Sequence, residues 1–293
     1  GSHLAAGVAA AGHSVVVLDD LSTGQRENLA GTPCELLVRD LNDTESLDAA
    51  LRGVDAILHH AAFISVPGSF EEPAASATIN VVGTARLLER AAAAGVRRIV
   101  FASSAAVYGE TSGHVEESTP PQPLSPYGVH KLAGEQLCRV AATSGAIDTV
   151  SFRYFNVYGD RQRADSDYAA VIPIFRQRLA AGLPPVIHGD GEQTRDFIAV
   201  RDVVAANLRA LDAVEPFRGE VFNLGFGTAV TIRELATAIA AEEGYDGEFA
   251  SDGARPGDIR SSVADLTRLR AVFHWTPEWS LAEGLRHSQL GRG

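Results

Sequence analysis

Short apolar runs alternate with amphipathic stretches through the first half of the chain. Residues 14–18 (SVVVL), 36–38, 56–60, 98–102 and 149–152 are aliphatic runs closed by polar residues. That is the pattern of strands buried on both faces. Between them, residues 4–11 read as a small-residue helix stopped by Gly12. Residues 44–51 read as a helix capped by Asn42 or Asp43, and 73–94 and 127–144 as two long helices. Strand–helix alternation of this kind predicts an α/β fold with a doubly wound parallel sheet and right-handed crossovers. Beyond residue 160, Pro173, Pro184, Pro185, Gly189, Gly191, Pro256 and Gly257 break the chain into shorter elements. The expected organisation is a larger domain from residues 1–162 and 197–227. A smaller, mostly C-terminal lobe comes from 163–196 and 228–293. No internal repeat is visible.

In such sheets ligands sit outside the carboxyl ends of the strands. Asp19, Asp40, Ala61, Ser104 and Asn156 fall there. The helix at 4–11 and the strand ending in Asp19 match the back half of a Rossmann dinucleotide fingerprint. The expectation is that the sequence opens part-way through the glycine-rich turn. Gly1 is then its last glycine, and the first strand and the turn's start lie outside the sequence; the absence of any methionine agrees. Asp19 is either the acceptor for the adenosine ribose hydroxyls, which favours NAD over NADP, or a solvated turn aspartate. Asp40 either faces the adenine amine or caps the next helix.

Composition narrows the partners. The 293 residues are 45% hydrophobic and 21% charged, with a formal net charge of -12. Such an acidic chain is expected to repel nucleic acid and anionic membranes, so an anionic substrate needs a local basic site. No apolar run reaches the roughly 20 residues that span a bilayer, and no secretory signal is present. Cys34 and Cys138 lack metal-ligand spacing and read as buried residues of a cytoplasmic protein. The histidines are dispersed, and no metal is assigned.

The candidate chemistry centres on Ser103-Ser104-Ala105-Ala106-Val107-Tyr108-Gly109 and Tyr127-Gly128-Val129-His130-Lys131. Tyr127 and Lys131, four apart, share one helix face, and Pro126 suits the helix start. A lysine ammonium beside a phenol is expected to lower its pKa from about 10 and yield a general base. Ser104, at the end of the preceding strand, is placed to bond the same substrate oxygen. A tyrosine and lysine at this spacing occur by chance on surface helices; the serine-rich strand end upstream makes the set specific.

With SSAAVYG, SPYGVHK, RYFNVYG and RPGD, the chain resembles the extended short-chain dehydrogenase/reductases that act on nucleotide sugars, nearest to the UDP-glucose and UDP-N-acetylglucosamine 4-epimerases. The resemblance covers essentially the whole chain and departs from the family at its missing glycine-rich start. It implies NAD, a UDP-sugar substrate, and 4-epimerisation through a transient 4-keto sugar with Ser104, Tyr127 and Lys131 catalytic. It further implies Leu41, Ala61, Ala62, Asn80 and Tyr154 at the dinucleotide, beside Gly1, Asp19 and Asp40. Ser65, Asn156, Arg195, Arg255, Asp258 and Ser262 are implied at the substrate. Arg195 and Arg255 supply the basic site for a diphosphate; read singly, each is as compatible with a surface ion pair. Ala105 and Ala106 stand where related 4,6-dehydratases carry an Asp-Glu pair, which disfavours dehydration. Ser262 stands where epimerases restricted to non-acetylated sugars carry tyrosine, which leaves room for an N-acetyl group, and DYAAVIP (167–173) is similar to the N-acetylhexosamine enzymes. A uronic-acid 4-epimerase, a decarboxylase, a 4,6-dehydratase and a non-catalytic NAD-binding regulator are the alternatives. The family's homodimer, packed through the helices at 73–94 and 127–144, is implied as well.

Overall fold

The computed structural model describes residues 1–162, 170–253 and 259–288. Helix α1 (Ser2–Ala10) leads into β1 (Val16–Asp19) and β2 (Glu35–Val38). Next come α2 (Thr44–Ala50), β3 (Ala56–His59), α3 (Val66–Glu71), α4 (Pro73–Ala77) and α5 (Gly83–Ala93), with a π-helical stretch, Thr78–Val82, joining the last two. They are followed by β4 (Arg98–Ser104), β5 (His114–Val115), α6 (Pro126–Thr143), β6 (Asp148–Tyr154) and β7 (Asn156–Tyr158). Then come α7 (Val171–Ala180), β8 (Val186–His188), β9 (Thr194–Arg195), β10 (Phe197–Ala199), α8 (Val200–Asp212) and β11 (Glu220–Leu224). The chain continues with β12 (Val230–Thr231), α9 (Ile232–Glu242), β13 (Ala250–Asp252), β14 (Ser261–Ala264), α10 (Thr267–Phe273) and α11 (Leu281–His287).

The described residues form two compact units. The first gathers Gly1–Val107, Ser125–Arg153 and Val204–Phe222. The second gathers Tyr108–Leu124, Tyr154–Val203 and the described residues from Asn223 on.

The first unit carries the parallel α/β sheet. Its strands run β11-β6-β4-β3, with Ile57 beside Ile99 and Leu58 beside Val100, and β1 pairs with β2 in parallel, Val17 beside Leu36. β4 and β6 have a neighbour on each edge and are buried along nearly their whole length, whereas β1 and β2 are mostly half-buried. Leu47 of α2, Leu87 of α5, and Ile99 and Phe101 of β4 meet in its core. Each such side chain contributes about 1.5–3 kcal/mol by leaving water. Gly134 lets α6 lie directly on β4, since a Cβ there would stand 2.4 Å from Phe101 Cζ. Cys138 is buried as expected, but Cys34, in the loop before β2, is only half-buried.

The single helix expected over 73–94 is helical throughout but interrupted. The π turn from Thr78 to Val82 inserts an extra residue and turns Asn80 inward, where it is 3% exposed. Such insertions recur at functional sites.

The second unit holds the parallel pair β10-β7, the pair β13-β8 and the mixed sheet β12-β9-β14-β5. Ile172 and Phe175 of α7, Ile187 of β8, and Leu235 and Ile239 of α9 form its core. Among the described residues no helix is long and apolar enough to cross a membrane.

Candidate active site

The amino end of α6 is fixed by local chemistry. Ser125 caps it, its hydroxyl accepting from Gly128 N–H at 3.1 Å, and Pro126 occupies the first turn, where a missing N–H costs nothing. The Tyr127 N–H donates to Ser69 Oγ at 3.1 Å, which ties this end to α3. The helix then places Tyr127 and Lys131 on one face.

Ser104 is the last residue of β4. Its hydroxyl accepts from Ala106 N–H at 3.1 Å and faces the Tyr127 phenol closely enough to offset part of its burial. Lys131 is 4% exposed and donates through Nζ to Ala102 O at 2.9 Å. The first unit therefore brings Ser104, Tyr127 and Lys131 together.

The acidity of Tyr127 departs from expectation. Lys131 Nζ stands 5.8 Å from the Tyr127 ring centre and donates its hydrogen bond to a backbone carbonyl. Burial outweighs the neighbouring Ser104, so the phenol's pKa is held above its ordinary value rather than below it. Burial also presses Lys131 down to about 8.

That depression has a consequence for stability. Folding disfavours the Lys131 ammonium, so the unfolded chain binds more protons between about pH 8 and 10.5. The Lys131 contribution is complete above 10.5, falls as pH decreases through that window and is lost below 8. Denaturant unfolding of the wild type and Lys131→Met across this range is expected to show a stability difference that moves in the wild type's favour as pH rises. A pH-independent difference would contradict it.

The dinucleotide candidates lie around the same unit. Gly1 is the cap residue of α1 and makes no side-chain cap bond. Asp19 ends β1, half-buried, and accepts from Leu21 N–H at 2.8 Å. Asp40 is exposed and accepts from Asn42 N–H at 2.8 Å, while Asp43 caps α2. Leu41 belongs to the core, Ala61 is exposed and Ala62 half-buried. Asn80 uses both ends of its amide on the Phe63 backbone, accepting at 2.8 Å and donating at 2.9 Å, and so pins the loop after β3. Ser65 caps α3, its hydroxyl accepting from Gly68 N–H at 2.8 Å.

In the second unit a part-open cleft of about 470 Å³ is lined by Asn156, Tyr158, Gln162, Phe175, Arg178 and Arg195, among others. Arg195 donates to Thr194 O at 2.8 Å and Ile259 O at 2.6 Å, so its guanidinium is oriented by backbone. Asn156 donates to Asp196 O at 3.1 Å. Ser262 of β14 lies in register with Arg195 of β9, outside the described wall of the cleft. Tyr154, the last residue of β6, is half-buried. Arg255 and Asp258 lie outside the described residues, as do residues 167–169 of the 167–173 segment. Among the described residues no group of three His, Cys, Asp or Glu is placed to hold a metal.

Three features were missed. Glu135 on α6 is buried against Ser103 and Arg153. Asp196 is fully buried and accepts three backbone N–H bonds. The π turn at Asn80 is the third. A YxxxK helix continued by a glutamate, and an aspartate between Arg195 and Phe197, were readable as letters; their burial was not.

Residues 1–225 match the model of the NAD dependent epimerase/dehydratase family. The UDP-glucose 4-epimerase of Mycolicibacterium smegmatis is 41% identical over 297 residues, 97% of this chain and 92% of that protein. The UDP-N-acetylglucosamine 4-epimerase of Methanobrevibacter ruminantium M1, solved with UDP-N-acetylmuramic acid, superposes with a TM-score of 0.93 at 34% identity, covering 98% and 93% of the two chains. The Thermus thermophilus UDP-glucose 4-epimerase, solved with NAD, superposes with a TM-score of 0.91 at 36% identity, covering 100% and 96%.

Proposed function

The chain belongs to the NAD-dependent epimerase/dehydratase family, and from that premise we propose that it inverts the 4-hydroxyl of UDP-hexoses, UDP-glucose and UDP-galactose and also their N-acetylated forms. The observation that carries this reading is the placement of Ser104, at the end of β4, beside the Tyr127 phenol, with the buried Lys131 ammonium held on Ala102 O and 5.8 Å from the Tyr127 ring centre.

The residues present fit NAD. Asp19 offers a half-buried carboxylate at a strand end, with room beside it, because a Cβ at Gly24 would come within 3.0 Å of Asp19 Oδ1. The amino end of α1, without a side-chain cap, suits a pyrophosphate. Asp19 would hold the adenosine ribose, Lys131 the nicotinamide ribose, and Ala61, Ala62, Asn80 and Tyr154 would line the remainder. When bound, NAD supplies the acceptor and donor of one hydride at the sugar's C4.

The chain's own residues handle the proton. Tyr127 Oη takes it from the sugar 4-hydroxyl as the 4-keto sugar forms and returns it to the same oxygen after the sugar turns over. Ser104 Oγ bonds that oxygen throughout. A phenol whose pKa is held above its ordinary value stays protonated at neutral pH, so it becomes available as the base only as positive charge near it favours the phenolate. Lys131, mostly protonated at neutral pH, supplies part of that charge, and an oxidised nicotinamide adds more. Arg195, with Arg255, would hold the diphosphate, and Asn156, Asp258 and Ser65 the remaining polar groups of the substrate. Ala105 and Ala106 have no acid–base groups, which speaks against dehydration. A cytoplasmic homodimer completes the proposal.

Incubation with NAD and each of UDP-glucose, UDP-galactose, UDP-GlcNAc and UDP-GalNAc, with products read by NMR, tests the reading. Conversion of a pair in both directions is expected; turnover confined to a uronic acid or a dTDP-sugar would overturn it. Ser262→Tyr is expected to cut turnover of the acetylated pair by about tenfold or more, the loss of roughly 1–3 kcal/mol that separates a methylene-sized misfit. The non-acetylated pair should stay near wild type. Equal activity on both pairs in the variant would remove Ser262 as the gate.

A further inference from the structure

Glu135 stands four residues beyond Lys131 and eight beyond Tyr127 on α6, so the three side chains form one inward stripe. Its carboxylate is 1% exposed. Oε1 accepts from Ser103 Oγ at 2.5 Å and from Arg153 Nε at 2.9 Å, and Oε2 accepts from Arg153 Nη2 at 2.7 Å. Ser103 on β4 and Arg153 on β6 are themselves buried.

A buried ion pair is weak support for stability, because apolar side chains of the same volume are often as good or better. What a forked guanidinium–carboxylate pair supplies is fixed geometry. Here the geometry concerns the active face. Ala102 O takes the Lys131 ammonium, Ser103 Oγ reaches Glu135, and Ser104 Oγ meets the Tyr127 phenol. Three successive residues of β4 are thus tied to three successive turns of one helix. Next to Glu135, the helix crosses Phe101 at Gly134, a bare backbone on a flat ring. Such a contact sets distance and does little to stop sliding along the helix axis.

We infer that Glu135, held by Arg153 and Ser103, is a positioning residue that sets the height of α6 on β4, so that the Tyr127 phenol and Ser104 meet. The inference rests on the reading of Tyr127 as the group that carries the proton.

The test uses two variants of the whole chain. The triple variant Ser103→Ala/Glu135→Leu/Arg153→Met removes all three members of the cluster together, so that neither Glu135 nor Arg153 is left as a lone buried charge. Glu135→Gln keeps the volume and one carbonyl acceptor. The triple variant is expected to keep a melting temperature close to wild type and an unchanged KM for the UDP-hexose, while kcat falls about 10²-fold, the effect of a displacement near 1 Å. Glu135→Gln is expected to show a smaller kcat loss of the same kind. A second readout does not depend on turnover. With ring-labelled tyrosine, the Tyr127 resonance, assigned by its loss in Tyr127→Phe, is expected to shift in both variants as the phenol moves relative to Ser104. Wild-type kcat and an unmoved resonance in a folded variant would overturn the inference, as would a fall in melting temperature with kcat retained. If the triple variant does not fold, Glu135→Gln decides by the same readouts. If the wild type turns over no nucleotide sugar, the proposed function fails, while the resonance still decides this inference.

Discussion

Tyr127→Phe is expected to lower kcat for UDP-hexose epimerisation by about 10²–10⁴-fold, the range of a single general acid–base group. Phenylalanine keeps the ring, and with it the half-buried packing at the start of α6, so the variant should fold and bind as the wild type does. Its only loss is Oη, the atom that meets Ser104. Ser104 is already engaged with Ala106 N–H and is no substitute base. Lys131 is committed to Ala102 O, 2.9 Å away, and protonated at neutral pH. Steady-state kinetics on UDP-galactose, with the melting temperature as a control on folding, measures the effect. A folded Tyr127→Phe enzyme with more than a tenth of wild-type kcat would end the proposed mechanism.

Asp196→Ala carries the largest expected effect on stability. The Asp196 carboxylate is fully buried in the second unit and accepts from Phe226 N–H at 2.6 Å, Gly227 N–H at 2.9 Å and Ala264 N–H at 3.0 Å. It joins the turn before β10, the turn after β11 and the end of β14. Gly225 is glycine for the same reason, since a Cβ there would lie 2.3 Å from Asp196 Oδ2. Alanine would leave three N–H groups without this acceptor, that of Ala264 buried and those of Phe226 and Gly227 part-buried. A buried one costs about 1–3 kcal/mol and the other two less, so the total is a large fraction of the stability of a typical domain. The variant is expected to lose the fold of the second unit or to melt far below the wild type in denaturant and thermal unfolding. Asp196→Asn, which keeps a carbonyl acceptor, is expected to lose less. An alanine variant within about 1 kcal/mol of wild type would show that water or backbone rearrangement takes over these three bonds.

The first unit was legible to the extent that its signals are local. The run at 98–102 marked β4 because apolar side chains with few polar interruptions exclude a solvated face, and the β-branched and aromatic residues of 149–152 marked β6. Ser125 and Pro126 marked the start of α6 because both act within one turn. The spacing of Tyr127 and Lys131 marked a shared face because helix geometry fixes it. Arg98 and Arg153 belong to the same strands, yet nothing in their neighbours along the chain announces that both are buried. The guanidinium of Arg98 reaches Asp148 and the carbonyls of Ala210, Ala213 and Glu215, and that of Arg153 reaches Glu135.

The sequence by itself determined the alternation of strands and helices in the first half of the chain, the face that carries Tyr127 and Lys131, and the family, since each depends on residues a few positions apart or on motifs read in line. Tertiary structure alone decided that Asn80 spends its amide on Phe63, that Glu135 is clamped between two strands and that Asp196 knots three segments. It also decided that the pKa of the Tyr127 phenol lies above rather than below its ordinary value. The reason is common to all four. Burial and the meeting of groups far apart in the chain set how strongly a polar atom is desolvated and what it bonds to, and no local pattern of residues encodes either.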